Sequence, residues 1–252
     1  MKHNGRIYTG LLLAVIFWGM SFVWVDQLLA VGMPSYTLLT IRLGIAAVVL
    51  FFISLGLGKL QRIHRRDLKW IVLMALFEPF LYFLGETNGI RLTTPTTASV
   101  IISTIPIFAL LLGVLVYREK VSMLNIFGTV VAVAGVLVTL SGEGMSLQIN
   151  LNGVLLLLLA VGAANGFSLI VKKLTVSYNM FTVVLYQNVI GALLFLPFSL
   201  SNYGRFGYFV FSFGDFYPLV LLALLPSVMS FLFYVNAIQR IGMARANMFI
   251  TL

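Results

Sequence analysis

Residues 93–138 read TTPTTASVIISTIPIFALLLGVLVYREKVSMLNIFGTVVAVAGVLV, two long apolar runs separated by the charged turn Arg118-Glu119-Lys120. Each run has about 20 residues, which at ~1.5 Å per residue of helix matches the ~30 Å hydrocarbon core of a bilayer. A helix also satisfies its backbone hydrogen bonds internally, as lipid requires. The stretch therefore predicts two membrane-spanning helices joined by a short polar turn.

The same pattern continues in both directions along the chain. The 252 residues are 61% hydrophobic and 9% charged, with a mean hydropathy of +1.07. Soluble globular chains are about 45–50% apolar and about 25% charged, so this composition predicts an all-α integral membrane protein. We place spans at residues 7–25, 34–57, 70–90, 95–117, 121–141, 151–171, 181–200 and 217–238, with a ninth that begins at Met243.

The first apolar run follows Lys2 and Arg6 and so resembles a signal peptide. It is longer than the apolar core of a typical signal peptide, and no cleavage site of the A-x-A type follows it. We therefore expect it to be retained as the first membrane helix. Because the connections between spans are short, we also expect consecutive helices to be antiparallel neighbours.

Positive charges alternate between the two predicted sides of the membrane. One side holds only Arg91 and Arg205, and Arg42 lies inside a span. Loops rich in Lys and Arg stay in the cytoplasm, so the other side is the cytoplasmic one and the amino terminus lies there. Its basic residues are Lys2, Arg6, Lys59, Arg62, Arg65, Arg66, Lys69, Arg118, Lys120, Lys172, Lys173, Arg240 and Arg245.

The order of the spans indicates an internal repeat. A shift of about 147 residues lays the first three spans over the sixth, seventh and eighth, and Pro79 of LFEPF then overlies Pro226 of LLPSV. Two copies of a five-helix unit joined head to tail enter the membrane from opposite sides, as in many carriers. We predict ten helices in two inverted repeats, residues 1–141 and 142–252.

The second repeat contains no counterpart of residues 105–141. A chain that ends within a helix exposes backbone carbonyl groups to lipid. We therefore expect this chain to be a fragment whose natural form continues beyond Leu252, with about nine of the ten helices present and the last one cut short.

Three segments resemble the EamA group of the drug/metabolite transporter superfamily: LLLAVIFWGMSFVWV (11–25), PSYTLLTIRLGIAAVVLFF (34–52) and the opening stretch, 93–138. The resemblance covers essentially the whole chain. It implies a ten-helix secondary-active carrier that exports or exchanges small metabolites across the bacterial-type inner membrane. Substrates in the group range from amino acids to other metabolites and drugs. The implied partners are a small-molecule substrate, the lipid bilayer and a proton or a counter-transported solute, with the chain as a monomer or a homodimer.

Ionisable groups inside a span cost about 2.5–3.5 kcal/mol each on insertion scales, so each one is a candidate functional residue. Arg42, Glu78 and Glu86 lie inside predicted spans. At ~1.5 Å of rise per residue, Arg42 falls between the two carboxylates in depth. Glu78, Tyr82 and Glu86 recur every four residues and so share one face of the helix. Pro79 is expected to kink that helix.

These groups fit two roles. In the first, Arg42 orients a substrate carboxylate while a glutamate takes up a proton or binds a substrate ammonium. In the second, Arg42 and a glutamate form a static pair that fixes helix packing. Unchanged transport and pH dependence in both Glu78→Gln and Glu86→Gln would remove the coupling role.

Uncharged polar residues at mid-span form a second set of candidates, suited to a hydrated path that binds a ligand. Each of them taken singly is also explained by interhelical hydrogen bonding, worth about 0.6 kcal/mol on average. Asn188 nearly overlies Arg42 in the repeat, which makes it the best candidate, and Trp18 is a candidate wall of the cavity. The set comprises Asn88, Asn165, Tyr186, Gln187, Asn188 and Asn236.

Two pairs of glycines predict close packing of helices. They are Gly85-x-x-x-Gly89 and Gly162-x-x-x-Gly166, and a small residue every fourth position lets two backbones approach.

Other classes of function find less support in the sequence. Without cysteine there is no disulfide, thiolate metal site or cysteine nucleophile, and His3 and His64 lie outside the spans. H-E-x-x-H, G-x-S-x-G and Walker-type motifs are also absent, so we expect no catalytic residue, metal or cofactor. The basic residues lie between apolar runs rather than on a soluble module, which argues against nucleic-acid binding. A multidrug or toxic-compound exporter is the main alternative, and a channel or a membrane-embedded enzyme fits less well.

Overall fold

The computed structural model of the protein describes residues 2–93, 95–119, 123, 126–128, 130–131, 134, 150–202 and 213–251. Every regular element in these ranges is helical, as the sequence predicts. Seven stretches within them are long and apolar enough to cross a membrane: Gly5–Ala30, Ser35–Gly56, Arg65–Leu92, Val100–Tyr117, Leu151–Leu174, Met180–Ser201 and Phe216–Ile241.

The α-helices are α1 (Lys2–Ala30), α2 (Ser35–Gly56), α3 (Leu68–Ala75), α4 (Tyr82–Leu92), α5 (Pro95–Ile102), α6 (Ile105–Tyr117), α7 (Leu151–Leu174), α8 (Met180–Asn202), α9 (Phe213–Leu222), α10 (Phe231–Ile241) and α11 (Met243–Asn247). Leu76–Leu81 and Ala223–Ser230 are π-helical, and Arg65–Asp67 and Met248–Thr251 form 3₁₀ turns. α11 begins where the ninth span is predicted. The predicted fifth span, residues 121–141, lies mostly outside the described residues.

Proline and glycine set the two ends of α2. Pro34 has an extended backbone (φ −64°, ψ 136°) just before the helix starts. Gly58 lies just beyond the other end with a φ of +61°, a left-handed conformation that glycine adopts without strain. Its N–H and that of Lys59 donate to carbonyl groups of the last turn at 3.0 and 2.8 Å. The 22 residues of α2 span about 33 Å, close to the thickness of a hydrocarbon core.

The span predicted at residues 95–117 is divided in two. Ser103 and Thr104 form a turn between α5 and α6. Each hydroxyl donates to a carbonyl group three residues earlier, at 2.7 and 2.6 Å. Pro106 lies in the first turn of α6, where its missing N–H costs nothing. Because proline lacks that donor, α5 cannot continue through this position. The break is therefore a local effect of one proline after two hydroxyl residues.

The contacts divide the chain into two compact units, of which unit 1 is Met1–Leu76 with Leu174–Ala237. Here α2 packs along α8, and α1 packs against α9 and the segment Ala223–Ser230. Ser199, near the end of α8, donates to Thr37, near the start of α2, at 3.0 Å, so these two helices are antiparallel. Because they lie far apart in sequence, short connections do not predict this pairing.

Tyr178 fastens the loop before α3 to the start of α8 in unit 1. Its hydroxyl donates to Asp67 Oδ2 at 2.7 Å and accepts from the backbone N–H of His64 at 3.1 Å. Nearby, the backbone N–H of Asn179 donates to Gln61 Oε1 at 2.6 Å. The basic loop is thus held in place by hydrogen bonds at the end of the bundle.

Unit 2 is Phe77–Lys173 with Ile238–Leu252. In it α4 contacts α7 at a predicted glycine pair, since a Cβ on Gly85 would lie 2.5 Å from the backbone oxygen of Leu156. Of the other predicted pair, a Cβ on Gly166 would lie 2.9 Å from the ring of Phe77, and one on Gly162 would meet no atom of the described residues within 4 Å. A Cβ on Gly89 would lie 2.7 Å from the side chain of Leu157, so three of the four glycines lie in close contacts.

The same pair of repeat-related helices occurs once in each unit. The member that comes from the first repeat in unit 1 corresponds to the member that comes from the second repeat in unit 2. The 147-residue shift relates α1 to α7 and α10 to α4. In unit 1, α1 meets α10 where a Cβ on Gly10 would lie 3.2 Å from the ring of Phe233. In unit 2, α7 meets α4 at Gly85. Two structural copies in one chain produce this exchange. Each compact unit combines helices from both predicted repeats. The boundary between residues 141 and 142 therefore stays a prediction.

The π-helical segments follow the same shift. They begin at Leu76 and Ala223, and each contains the proline that the repeat aligned, Pro79 or Pro226. The predicted kink at Pro79 is confirmed, because the backbone of Glu78 leaves the helical conformation (φ −142°, ψ 120°). The repeat therefore interrupts its third helix at the same place in both copies.

Candidate functional site

Arg42 lies buried in α2 and is anchored by the π-helical segment of unit 1. Its Nε donates to Ser227 Oγ at 3.0 Å. Ser227 Oγ in turn donates to the backbone oxygen of Leu222 at 3.1 Å, a bond that spans five residues. Because Nε lies in the plane of the guanidinium, this bond fixes the orientation of the whole cation. The kinked segment that the repeat aligned with residues 76–81 thus positions the buried arginine.

Asn188 belongs to the same group of residues. Its Nδ2 donates to the backbone oxygen of Val184 at 2.8 Å and to that of Ser227 at 3.3 Å. Asn188 and Arg42 therefore meet at one residue, Ser227. The repeat alignment nearly superimposes Asn188 on Arg42, which made Asn188 the best of the uncharged candidates.

Gln187 directly precedes Asn188 in the chain, and the hydrogen-bonding capacity of its buried side-chain oxygen is not satisfied within the described residues. Its side chain is 2% exposed, and Oε1 has no hydrogen-bond partner among the described residues. Leaving a buried acceptor unpaired costs about 1–3 kcal/mol. An N–H or ammonium group of a ligand would remove that cost.

Two further candidates of unit 1 are half-buried, Trp18 on α1 and Asn236 on α10. The Trp18 ring makes edge contacts with Phe231 and Tyr234, each at 5.5 Å between centroids. Trp18 therefore belongs to a three-ring aromatic cluster, and its role as a cavity wall stays a prediction.

The carboxylates lie in unit 2, where Glu78, Tyr82 and Glu86 are all half-buried. The Tyr82 hydroxyl donates to Glu86 Oε1 at 2.9 Å, which confirms that these two share a face. Glu78 lies one turn earlier, at the kink. Arg42 belongs to unit 1, so its pairing with a glutamate stays a prediction.

Asn88 and Asn165 each hydrogen-bond within their own helix. Asn88 Nδ2 donates to the backbone oxygen of Leu84 at 2.8 Å, and Asn165 Nδ2 to that of Val161 at 2.9 Å. Asn165 Oδ1 is buried without a hydrogen-bond partner in the described part of the chain. Unit 2 thus also offers an unsatisfied amide oxygen.

Sequence reasoning missed three buried polar residues that take part in hydrogen bonds between helices. One is Ser227. The others are Ser168 on α7 and Asn247 on α11, whose Nδ2 donates to Ser168 Oγ at 3.2 Å. Serine within an apolar run reads as a small packing residue. The aligned Pro226, adjacent to Ser227, was the available signal for it.

The candidate residues of unit 1 offer a guanidinium, amides and hydroxyls, and those of unit 2 offer carboxylates, amides and hydroxyls. Such groups bind polar solutes reversibly. Over the ranges that the structure covers, no group of three or more His, Cys, Asp or Glu side chains could hold a metal ion.

Relatives of the chain are transporters by name. It is 25% identical over 253 residues to the uncharacterized transporter YetK of Bacillus subtilis (strain 168), covering 99% of this chain and 76% of YetK. It is 26% identical over 255 residues to a probable terminal-alkyne amino-acid exporter of Streptantibioticus cattleyicolor, covering 98% and 81%. An uncharacterized transporter of Archaeoglobus fulgidus is 29% identical over 188 residues, which cover 75% of this chain and 65% of that protein.

A solved crystal structure superposes on 96% of this chain and 85% of its own chain, with a TM-score of 0.74. At 16% sequence identity this likeness shows the fold alone. The model of the EamA-like transporter family matches residues 5–141 and again residues 151–252. The chain therefore belongs to the EamA-like transporter family and is a multi-pass membrane protein.

Proposed function

We propose that the protein is a secondary-active carrier that exports or exchanges amino-acid-like, carboxylate-bearing solutes across the bacterial inner membrane, with its amino terminus in the cytoplasm. The orientation rests on the alternation of basic loops. The class of cargo rests on the buried group around Arg42.

The buried arginine is the observation that carries the proposal. A guanidinium binds a carboxylate through two parallel hydrogen bonds, with more geometric specificity than an ammonium provides. Ser227 Oγ accepts from Arg42 Nε at 3.0 Å, which orients the guanidinium. The uncharged neighbours Asn188 and Gln187 add amide groups at the same level of α8. A substrate carboxylate is the anion that fits these donors.

The ammonium end of an amino-acid-like solute needs hydrogen-bond acceptors. The Oε1 of Gln187 is buried and unpaired within the described residues, and a substrate ammonium supplies the missing N–H. The relative from Streptantibioticus cattleyicolor is named as a probable amino-acid exporter, which agrees with a zwitterionic cargo.

The Tyr82–Glu86 pair is the proposed coupling group. Its hydrogen bond of 2.9 Å keeps the carboxyl group of Glu86 in a fixed position, and the pair offers a site for a proton or a substrate ammonium. Ionisable groups in spans are associated with proton relays in transporters. Glu78, beside the kink at Pro79, is the second member of this proposal.

An untargeted comparison of growth medium tests the proposal. Cells express the full natural chain, its Arg42→Gln variant, its Arg91→Gln variant or an empty vector. Arg91 is exposed, so the control removes the same charge outside the buried group. Accumulation of carboxylate-bearing solutes outside cells that express the natural chain and Arg91→Gln, but not Arg42→Gln, is the expected result. Equal accumulation with Arg42→Gln contradicts the role of Arg42.

A multidrug exporter is the second candidate, favoured by the three-ring cluster of Trp18, Phe231 and Tyr234. Aromatic faces bind apolar and cationic solutes without needing Arg42. Resistance to such compounds that survives Arg42→Gln and disappears in Trp18→Ala would favour this function over the first.

A further inference from the structure

A concave cavity of about 230 Å³ lies within unit 2, at the level where three membrane spans end. Its wall contains Glu119, which follows the span ending at Tyr117, and Lys172, close to the end of the span Leu151–Leu174. Arg240 lies at the end of the span Phe216–Ile241 and also contributes to the wall. The cavity is therefore at the membrane surface, on the side that the basic loops predict to be cytoplasmic.

The charge of this cavity is positive. Among the described residues of its lining, Lys172, Arg240 and Arg245 contribute three cations and Glu119 contributes one carboxylate. Both arginines are exposed. Neither has a hydrogen-bond or ion-pair partner within the part of the chain that the structure describes. Two arginines that point into one concave space repel each other, and an anion between them would replace that repulsion by attraction.

Glu119 is engaged in the structure and does not compete for the arginines. Its Oε1 accepts from the backbone N–H of Met243 at 2.9 Å, and its Oε2 from that of Ala244 at 3.0 Å. Lys172 Nζ lies 3.6 Å from Oε1. The carboxylate thus ties the end of α6 to the start of α11, and its charge is offset by these three groups.

The floor of the cavity is fixed by Gly242. Its φ of +91° is strained for any residue with a side chain, and an added Cβ would lie 2.5 Å from Glu119 Oε1. Glycine at this position lets the carboxylate approach the turn between α10 and α11. The turn at the floor of the cavity is therefore set by the backbone at Gly242 and its close contact with Glu119.

We propose that this cavity binds a phosphate-bearing anion, held by Arg240 and Arg245 with Lys172 at its edge. Arginine pairs bind phosphate oxygens through parallel hydrogen bonds. A volume of about 230 Å³ holds a phosphate group with several waters, at about 30 Å³ of liquid volume per water. Basic pockets between membrane helices on the cytoplasmic side bind anionic headgroups. The phosphate comes either from a phospholipid headgroup or from a soluble phosphate, and the proposal does not depend on the transported cargo.

Native mass spectrometry of the full protein in detergent tests this proposal, with phosphatidylglycerol and phosphatidylcholine as the two probes. The test variant carries Arg240→Gln with Arg245→Gln. The matched control carries Arg62→Gln with Arg65→Gln, which removes two exposed arginines from a loop of unit 1. Phosphatidylglycerol is expected to bind more tightly than phosphatidylcholine. Its affinity is expected to fall at least about tenfold in the test variant and less than about threefold in the control.

Inorganic phosphate separates the two sources of the ligand. If phosphate raises the melting temperature of the native chain but not that of the test variant, the site binds a soluble phosphate. If phosphatidylglycerol alone does so, the site binds a lipid headgroup, and both results support the proposal. Equal binding of the two lipids together with no effect of phosphate overturns it. Equal loss in the test and control variants also overturns it, because surface charge alone then explains the binding.

Folding of the variants is monitored by their melting temperature without ligand, which is expected to match that of the native chain because both arginines are exposed. The single variants Arg240→Gln and Arg245→Gln provide an independent comparison. Each is expected to weaken binding by about threefold or more. Unchanged binding in both single variants contradicts the proposal.

Discussion

Arg42 Nε and Ser227 Oγ are 3.0 Å apart in the fold, although 185 residues separate them in the chain. The bond joins the second helix of the first repeat to the interrupted third helix of the second repeat. It links the buried cation to the π-helical segment that the repeat places at Ala223–Ser230. A change in that segment therefore moves the residue that we propose binds the substrate carboxylate.

Ser227→Ala tests this link. This substitution removes the Ser227 acceptor of Arg42 Nε, and leaving a buried polar group without its hydrogen-bond partner costs about 1–3 kcal/mol. We expect a lower melting temperature in detergent and weaker binding of the carboxylate substrate.

Ser54→Ala is the matched control, since Ser54 Oγ is equally buried in unit 1 but has no hydrogen-bond partner among the described residues. Its stability is expected to stay the same or to rise. If the two alanine variants behave alike, the Arg42–Ser227 bond has no energetic role.

Gly85→Ala tests the contact of α4 with α7. A Cβ at this position would lie 2.5 Å from a backbone oxygen, which cannot move as a side chain can. Overpacking of this kind costs about 1–3 kcal/mol. We expect a matching loss of thermal stability.

Gly162→Ala provides the comparison, because an added Cβ on Gly162 meets no atom within 4 Å in the part of the chain that the structure describes. Alanine is a better helix former than glycine by up to about 1 kcal/mol, so this variant is expected to be neutral or stabilised. Destabilisation by Gly162→Ala as large as that by Gly85→Ala would contradict the assignment of the contact.

Glu86→Gln tests the coupling role. Glutamine retains an oxygen that accepts from the Tyr82 hydroxyl, so the variant removes the charge and keeps the hydrogen bond of 2.9 Å. We expect transport driven by a pH gradient to be lost while exchange of substrate between the two sides persists. Tyr82→Phe, which removes the bond and keeps the carboxylate, is expected to reduce gradient-driven transport without abolishing it.

The opposite pattern, with gradient-driven transport intact in both Glu86→Gln and Glu78→Gln, would leave the carboxylates with a packing role only. Flux measured in proteoliposomes with and without an imposed pH gradient distinguishes the two outcomes.

The hydrogen bonds that Tyr178 makes to the loop before α3 give a prediction outside the membrane spans. Burial raises the pKa of the Tyr178 hydroxyl above its usual 10.0, so the hydroxyl stays protonated and donates to Asp67 at neutral pH. Tyr178→Phe removes two hydrogen bonds and is expected to cost about 1–3 kcal/mol. The native residue's contribution is complete below pH ~10 and is lost as the pH rises through the folded pKa.

Melting temperatures at pH 6, 8 and 10.5 check this dependence. The difference between the native chain and Tyr178→Phe is expected to be equal at the first two values and smaller at the third. Tyr217→Phe is the control, because Tyr217 is 67% exposed and its loss is expected to change nothing. A difference that varies between pH 6 and 8 would contradict the assignment.

The sequence was sufficient for features that depend on local chemistry. Apolar runs of helical length predicted the seven spans that the structure describes, Pro79 predicted the kink, and the four-residue spacing predicted that Tyr82 and Glu86 share a face. The break at Ser103 and Thr104 was missed, because a proline two residues later can either kink a helix or start one.

Residues whose role depends on a distant partner could not be predicted in the same way. Ser227 reads as a small residue in an apolar run until Arg42 is seen beside it. Asn247 lies in the predicted ninth span, but its bond to Ser168 on another helix had no local signal in the sequence. The repeat offered partial information, since it aligned Pro226 with Pro79 and Asn188 nearly with Arg42.

Counterflow in proteoliposomes containing the full natural chain tests the central claim most directly. Vesicles are preloaded with an unlabelled amino acid from a panel, and uptake of the same labelled solute is followed for the native chain, Arg42→Gln and Arg91→Gln. The account predicts saturable, transient accumulation for the native chain and Arg91→Gln, and loss of it in Arg42→Gln. Equal counterflow in all three, or an unsaturable flux typical of a channel, would contradict a carrier whose cargo binds at Arg42.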